Sequence, residues 1–336
     1  MVNWHIEKNH YNTLLSYFGC GDFQNAKILV FGIEEGTDGH EVEANVVART
    51  YSFGSFDSNG NLLSAIEPPN REKGYWEPNA QLGGKKVRDY IYRRDGILLE
   101  EKVTKGPFNE IIARITLELE QPNYNTNYWF RLMKDDQEMA EQIRGRIKTQ
   151  FRTSTEDLIH TALTDWKPLP RPDMTEWPPE YQPSHTLFGI DPLLYEKAFS
   201  LKVRDEICDS NTNYSEDVQK RLNIIHNVFQ GSSIPIIIGL GEIQTKKRVL
   251  ENIFSEAQFL TFKSKVHPTH SSLRAEFILN GQKRCILLLP FPDRRSAEWR
   301  KRSNKHEAAG SFMLRYFQEI TQEYIKPVVE RTFHHN

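Results

Sequence analysis

Residues 27 to 37 read Lys27-Ile28-Leu29-Val30-Phe31-Gly32-Ile33-Glu34-Glu35-Gly36-Thr37. An apolar, β-branched run stops there at a cluster of glycines and carboxylates. The run is short for a helix and lacks the alternation of a half-exposed strand, so it predicts a parallel strand over 27–33 covered on both faces. Working outward, Leu158-Ile159-His160-Thr161-Ala162-Leu163 predicts a second strand, ending in the loop Thr164-Asp165-Trp166-Lys167-Pro168. The run from Ile234 to Leu240 predicts a third, turning at Gly241 into a helix over 242–254. Helical spacing recurs at about 9–19, 108–120, 135–150, 191–207, 215–229 and 305–323. A strand near 257–263 precedes a hairpin in which Asn280-Gly281 joins AEFIL to KRCILLL, the dipeptide that best fits a two-residue turn. Residues 38–105, rich in Gly, Asn, Pro and Tyr and weakly helical only at 85–94, read as an insertion. Strands alternating with helices predict an α/β fold: a central, mostly parallel sheet flanked by helices, as one domain over 1–336. Ligands bind such sheets beyond the carboxyl ends of the strands, in the loops after Ile33, Leu163, Leu240 and Leu289.

The composition narrows the function classes. No stretch approaches the eighteen or so apolar residues of a membrane span, and MVNWHIEKNHYN has neither the basic nor the apolar region of a secretion signal. A cytoplasmic location is expected, with no membrane partner. Cys20, Cys208 and Cys285 stand far apart, which argues against a disulfide framework and against a metal cluster. No cofactor and no metal are expected. The net charge of −2 gives no overall attraction to a polyanion, so a nucleic-acid site must rest on local charge. Arg294, Arg295, Arg300, Lys301, Arg302 and Lys305 make one such run, and residues 144–152 another. Either also reads as a solvated helix face.

Each loop admits two readings. Glu34 and Glu35 can orient water or stabilise a cation between Gly32 and Gly36, or they can cap a helix N-terminus or face solvent. Asp165 can line a cleft or brace a turn. Gly239-Leu240-Gly241 permits a close approach to phosphate but lacks a full dinucleotide fingerprint. Phe291 and Trp299, set beside cations, suit a wedge pushed into a base stack, or they belong to the core. His267 and His270 have the spacing of metal ligands without a third partner, which favours a supporting role.

Taken in order, these loops resemble the uracil-DNA glycosylase superfamily. Gly32-Ile33-Glu34-Glu35-Gly36 is similar to that family's water-activating loop, with Glu34 at the catalytic position and Glu35 where a proline is usual. Lys105-Gly106-Pro107-Phe108-Asn109 resembles the loop whose aromatic, here Phe108, stacks on the flipped base. Asp165 stands where the family reads the base with an Asn. Phe291-Pro292-Asp293 resembles the intercalation loop with its histidine replaced, while His267-Pro268-Thr269 keeps the histidine but falls before the hairpin.

The resemblance implies a DNA glycosylase. Glu34 (or Glu35) would serve the sugar, Gly32, Phe108, Asn109 and Asp165 the base, and Phe291, Arg294, Arg295, Trp299, Arg300, Lys301 and Arg302 the DNA. An ionised Asp only accepts hydrogen bonds, which suits the exocyclic amino group of cytosine better than the O4 of uracil. Excising plain cytosine would destroy the host genome, so a second filter is needed. The insertion, with Tyr75 and Trp76, offers one, and the target becomes a 5-substituted, glucosylated cytosine of phage DNA. Rival readings are a nucleoside or nucleotide hydrolase, and an inactive DNA-binding relative.

Overall fold

The structure is a computed structural model that describes residues 4–17, 19–37, 41–53, 55–56, 62–63, 106–121, 127–151, 159–184, 187–201, 214–268, 271–300 and 308–331. In chain order its first elements are α1 (Lys8–Ser16), β1 (Cys20–Gly21), β2 (Ile28–Gly36), α2 (Val42–Phe53), β3 (Ser55–Phe56) and β4 (Leu62–Leu63). Then follow α3 (Pro107–Glu120), α4 (Gln137–Thr149), β5 (Thr161–Arg171), α5 (Pro192–Phe199), α6 (Tyr214–Gln230), β6 (Ile236–Leu240) and α7 (Ile243–Ile253). The chain closes with β7 (Leu260–Phe262), β8 (Ser272–Leu279), β9 (Gln282–Leu289), α8 (Ala297–Arg300), α9 (Ala309–Ile320) and α10 (Lys326–Glu330), the last two joined by a π turn over Thr321–Ile325.

An α/β architecture with helices flanking a seven-stranded sheet is observed, in the order β1-β5-β2-β6-β9-β8-β7. The three strands read first, β2, β5 and β6, are adjacent and parallel, and β9 extends the parallel set. Antiparallel strands close both edges, so the sheet is mixed rather than mostly parallel. The hairpin is the reason on one side: Asn280 and Gly281 take φ of 50° and 74°, the twist a two-residue turn requires, and send β9 back along β8. Alternate residues of β2 feed two cores: Leu29 and Phe31 join one, and Ile28 and Val30 the other. A period of two with both faces apolar is why the run reads as continuous in sequence.

Two boundaries differ from expectation. β2 runs on through Glu34 and Glu35 to Gly36, and β5 through Asp165 and two prolines to Arg171. The acidic pair stays in the sheet because cations neutralise it, as described below. The prolines are tolerated because the register slips: Glu34 pairs with Lys167 but Gly36 with Arg171, so Pro168 and Pro170 fall in an irregularity with no ladder hydrogen bond to lose. A third difference is α2, which opens the segment read as a loop-rich insertion; most of that segment, with Tyr75 and Trp76, lies outside the described residues.

One feature of the pairing sets the site. β2 pairs with β6 only from Ile28↔Ile236 to Val30↔Ile238, whereas its pairing with β5 continues to Gly36. The carboxyl ends of β2 and β6 therefore part. The chain leaves β2 for β5 on one side and later for β6 on the other, so this opening is the topological switch point, where open α/β sheets place their ligands.

Candidate functional site

Asp165 of β5 lies over Gly32 of β2, beside that opening. A Cβ added to Gly32 would fall 1.8 Å from Asp165 Oδ1, so the carboxylate occupies the room left by the missing side chain. It is half-buried and makes no side-chain hydrogen bond or ion pair among the described residues. Burial pushes its carboxyl up to about 6, against the opposing pull of Lys246, Arg221 and Arg49. A carboxylate with a raised pKa at a switch point marks a candidate functional site.

On the other face of the sheet, Lys246 rises from the first turn of α7. Its side chain is 4% exposed, and Nζ donates to the carbonyls of Leu240 and Gly241, each at 2.9 Å. Burial draws this ammonium down to about 8, countered by the charges of Asp165 and Glu242. Gly239 makes room for it, since a Cβ there would lie 2.8 Å from Lys246 Cδ. Phe291, 42% exposed, packs over Gly241 at the edge of the same turn. Beneath Asp165, the buried Arg221 gathers the carbonyls of Leu15, Tyr17, Asp165 and Trp166, which fixes the strand where the carboxylate departs.

Glu34 and Glu35 are not free. Glu34 is bonded by both Nε and Nη2 of Arg171, the latter at 2.6 Å, and by Lys167 at 3.3 Å. Glu196 of α5 closes the network through Lys167 at 2.6 Å and Arg171 at 2.8 Å. Glu35 is held by Arg49 of α2, which also donates to the Asn45 carbonyl at 2.9 Å. The expectation that either carboxylate handles water is thereby weakened: an oxygen committed to a guanidinium is a poor base. The expected loop is a strand braced by ion pairs.

The remaining expected residues scatter. Phe108 is half-buried and stacks on Phe151 with ring centroids 6.3 Å apart. Asn109 is buried, and its Oδ1 accepts from Gln150 Nε2 at 2.9 Å. Their ring and polar partners are thus Phe151 and Gln150, not Asp165. Trp299 is no wedge: it is fully buried among His267, Phe312, Tyr316 and Phe317, and its Nε1 donates to the Phe291 carbonyl at 2.9 Å. It anchors the loop that presents Phe291. His267 is buried in the same aromatic cluster. Arg294, Arg295 and Arg300 are exposed, with Arg295 turned onto Asp293 at 3.1 Å. Lys301, Arg302, Lys305 and His270 lie outside the described residues.

Lys246, Arg221, Arg49, Lys167 and Arg171 were not singled out in the sequence. Lys246 and Arg221 carried a readable signal, because each falls on the apolar stripe of its helix: Ile243, Lys246, Leu250 and Ile253 in α7, and Val218, Arg221, Ile225 and Val228 in α6. Concavities of about 440 and 520 Å³ lie elsewhere, one at the amino end of β6 beside Arg284, the other along α6; neither touches Asp165, and the Arg284 guanidinium is occupied by the carbonyls of Ser232 and Ile234. Among the described residues no group of three or more His, Cys, Asp or Glu is placed to hold a metal, and no helix is long and apolar enough to cross a membrane. No family model matches this chain, and neither a curated protein nor a solved structure does.

Proposed function

We propose that this protein is a DNA glycosylase, similar in fold to the uracil-DNA glycosylases, that flips out and excises a 5-substituted cytosine. The observation that carries the reading is the Asp165 carboxylate: half-buried, set over Gly32 beside the switch point, and without a side-chain hydrogen bond or ion pair among the described residues. With its carboxyl at about 6 it is mostly ionised at neutral pH, and so accepts only. Cytosine's exocyclic amino group meets it as a donor, whereas the O4 of uracil repels it. Flipping costs a few kcal/mol. Phe291, exposed and with its carbonyl held by Trp299, would fill the vacated stack, and the exposed Arg294, Arg295 and Arg300 would grip phosphates. A bulky substituent at C5, such as a glucosylated hydroxymethyl group, separates viral DNA from the host's own and makes the activity one of anti-phage defence.

The test is incubation with duplexes carrying cytosine, 5-hydroxymethylcytosine, its glucosylated form, or uracil, followed by alkali. Strand scission at the glucosylated base, and little elsewhere, is the expected outcome. The absence of alkali-labile sites on all four, with binding retained, would instead establish a DNA-binding relative without catalysis. The commitment of Glu34 and Glu35 to arginines is what favours that second reading.

A further inference from the structure

Buried arginines in this fold come with a carboxylate. Arg49 pairs with Glu35, Arg114 with Glu110, Arg146 with Glu120 and Arg171 with Glu34, while Arg221 has Asp165 as its opposing charge. Arg284, near the start of β9, is the exception among the described residues. It is 4% exposed and has no acidic partner there, so burial acts alone on its guanidinium and draws the pKa down. Nη1 donates to the Ile234 carbonyl and Nη2 to the Ser232 carbonyl, the latter at 2.5 Å. These bonds use two of the five N–H protons, and Nε has no partner. A buried charge is costly until an opposite charge meets it.

The same residue lines a cavity of about 440 Å³, a volume in the range of small-molecule sites. The cavity sits at the amino ends of β2, β6 and β9, the end of the sheet opposite the switch point. Phe23, Val228 and Arg284 give it a buried floor. Gln24, Gln230, Ser233, Asn280 and Gln282 form an exposed rim whose amides and hydroxyl donate and accept but carry no charge. The rim is braced from within: Asn280 Nδ2 donates to the Gln230 carbonyl at 2.9 Å, and Ser233 Oγ to the Gln24 carbonyl at 3.0 Å. No carboxylate is among the lining residues, so the guanidinium is the one charge they carry. We propose that this cavity binds a small hydroxylated anion of the sugar phosphate class, with the Arg284 guanidinium meeting the phosphate and the rim amides the hydroxyls. Phosphate suits a guanidinium because charge-assisted N–H···O bonds are the strong ones, and neutral amides match hydroxyls without a charge to desolvate. A ligand here is remote from Asp165, and its binding does not depend on whether the protein excises a base.

The experiment is calorimetric titration of the full chain with glucose 6-phosphate, glucose and inorganic phosphate, with thermal melting alongside. Glucose 6-phosphate should bind and raise the melting temperature, while glucose and inorganic phosphate, each lacking half of the recognised chemistry, bind more weakly. Arg284→Met should weaken glucose 6-phosphate by roughly tenfold or more, the worth of a charged hydrogen bond. Gln282→Glu places a carboxylate on the exposed rim, where it leaves the fold alone; it should weaken the same ligand roughly fivefold, more at low salt than at high salt, and leave glucose unaffected. Glucose bound as tightly as its phosphate overturns the anion site, and inorganic phosphate bound as tightly as the sugar phosphate overturns the hydroxyl contacts. Folded variants that keep the wild-type affinity for glucose 6-phosphate overturn the assignment of Arg284. Should Arg284→Met not fold, Gln282→Glu decides, and an unchanged affinity and salt dependence overturns the proposal. Wild-type protein that binds none of the three probes overturns it outright.

Discussion

At Asp165 the fold bears a cost that the site requires. Its carboxyl is raised from 3.8 to about 6, so between those values the native state holds a proton that the unfolded chain has released. Stability therefore falls as pH rises through that window and stays reduced above it. At about 1.4 kcal/mol per pH unit the loss is on the order of 3 kcal/mol. Asp165→Asn removes the charge and should match the wild type near pH 4 while exceeding it in stability above pH 6, as measured by denaturant unfolding across that range. An Asn variant less stable at pH 8 would mean that the carboxylate has a structural partner. Glu34 should behave in the opposite way. Replacing it by Gln breaks a buried pair with Arg171, a change that costs about 3 kcal/mol, while the turnover of the folded variant stays within a fewfold of wild type. A large rate loss at unchanged stability would restore Glu34 to the chemistry. These two carboxylates show what was legible. Asp165 could be placed from its position near the end of an apolar run. The pairing of Glu34 could not, because Lys167 and Arg171 lie far along the chain and meet it only through the register of β2 with β5.

Among the elements, β2 and β5 carry the site because both outrun their apolar cores. The apolar run predicts where each strand starts but not where it stops. Cross-strand ion pairs extend β2 beyond Ile33, and a register slip lets β5 absorb two prolines. The same logic hid α2: its buried residues Val42, Val46 and Arg49 follow helical spacing, but they sit at the head of a segment dominated by turn formers. The notch between β2 and β5 gives an element-scale prediction. Gly32→Ala sets a methyl 1.8 Å from the present position of Asp165 Oδ1, so the carboxylate must swing away. Loss of excision with little loss of stability is the expected result, read by alkali scission and thermal melting. Retained activity in the Ala variant would show that the carboxylate does not work from this notch.

For the whole molecule, the order β5-β2-β6-β9 matters more than the parallel fraction of the sheet. It puts the switch point between β2 and β6, sets Asp165 over Gly32 on one face of the sheet and Lys246 along Gly239 on the other, and holds Phe291 against Gly241. The alternation of strands and helices foretold the α/β class. The hairpin at Asn280-Gly281 foretold the antiparallel pair at one edge, but the two-residue β1 at the other carries too short a pattern to read. With a net charge of −2, the proposed grip on DNA would rest on the exposed arginines beside Phe291. Replacing Arg294, Arg295 and Arg300 together by Ala should weaken binding to any sequence and flatten its salt dependence, by about one unit of slope for each phosphate no longer neutralised. An unchanged slope would assign these cations to a solvated face.

The measurement that bears most directly on the account is base preference in wild-type protein and Asp165→Asn, with thermal stability recorded alongside. Paired oligonucleotides carry either the glucosylated cytosine or uracil at one position, and alkali scission reports excision. Wild-type protein should cut the modified cytosine. The variant, folded and at least as stable at pH 8, should lose that cutting by roughly ten- to a hundredfold, the worth of a charged hydrogen bond in a buried pocket, and shift toward uracil. Equal rates and equal preference in the two proteins would contradict the account, because Asp165 would then not be the group that meets the base.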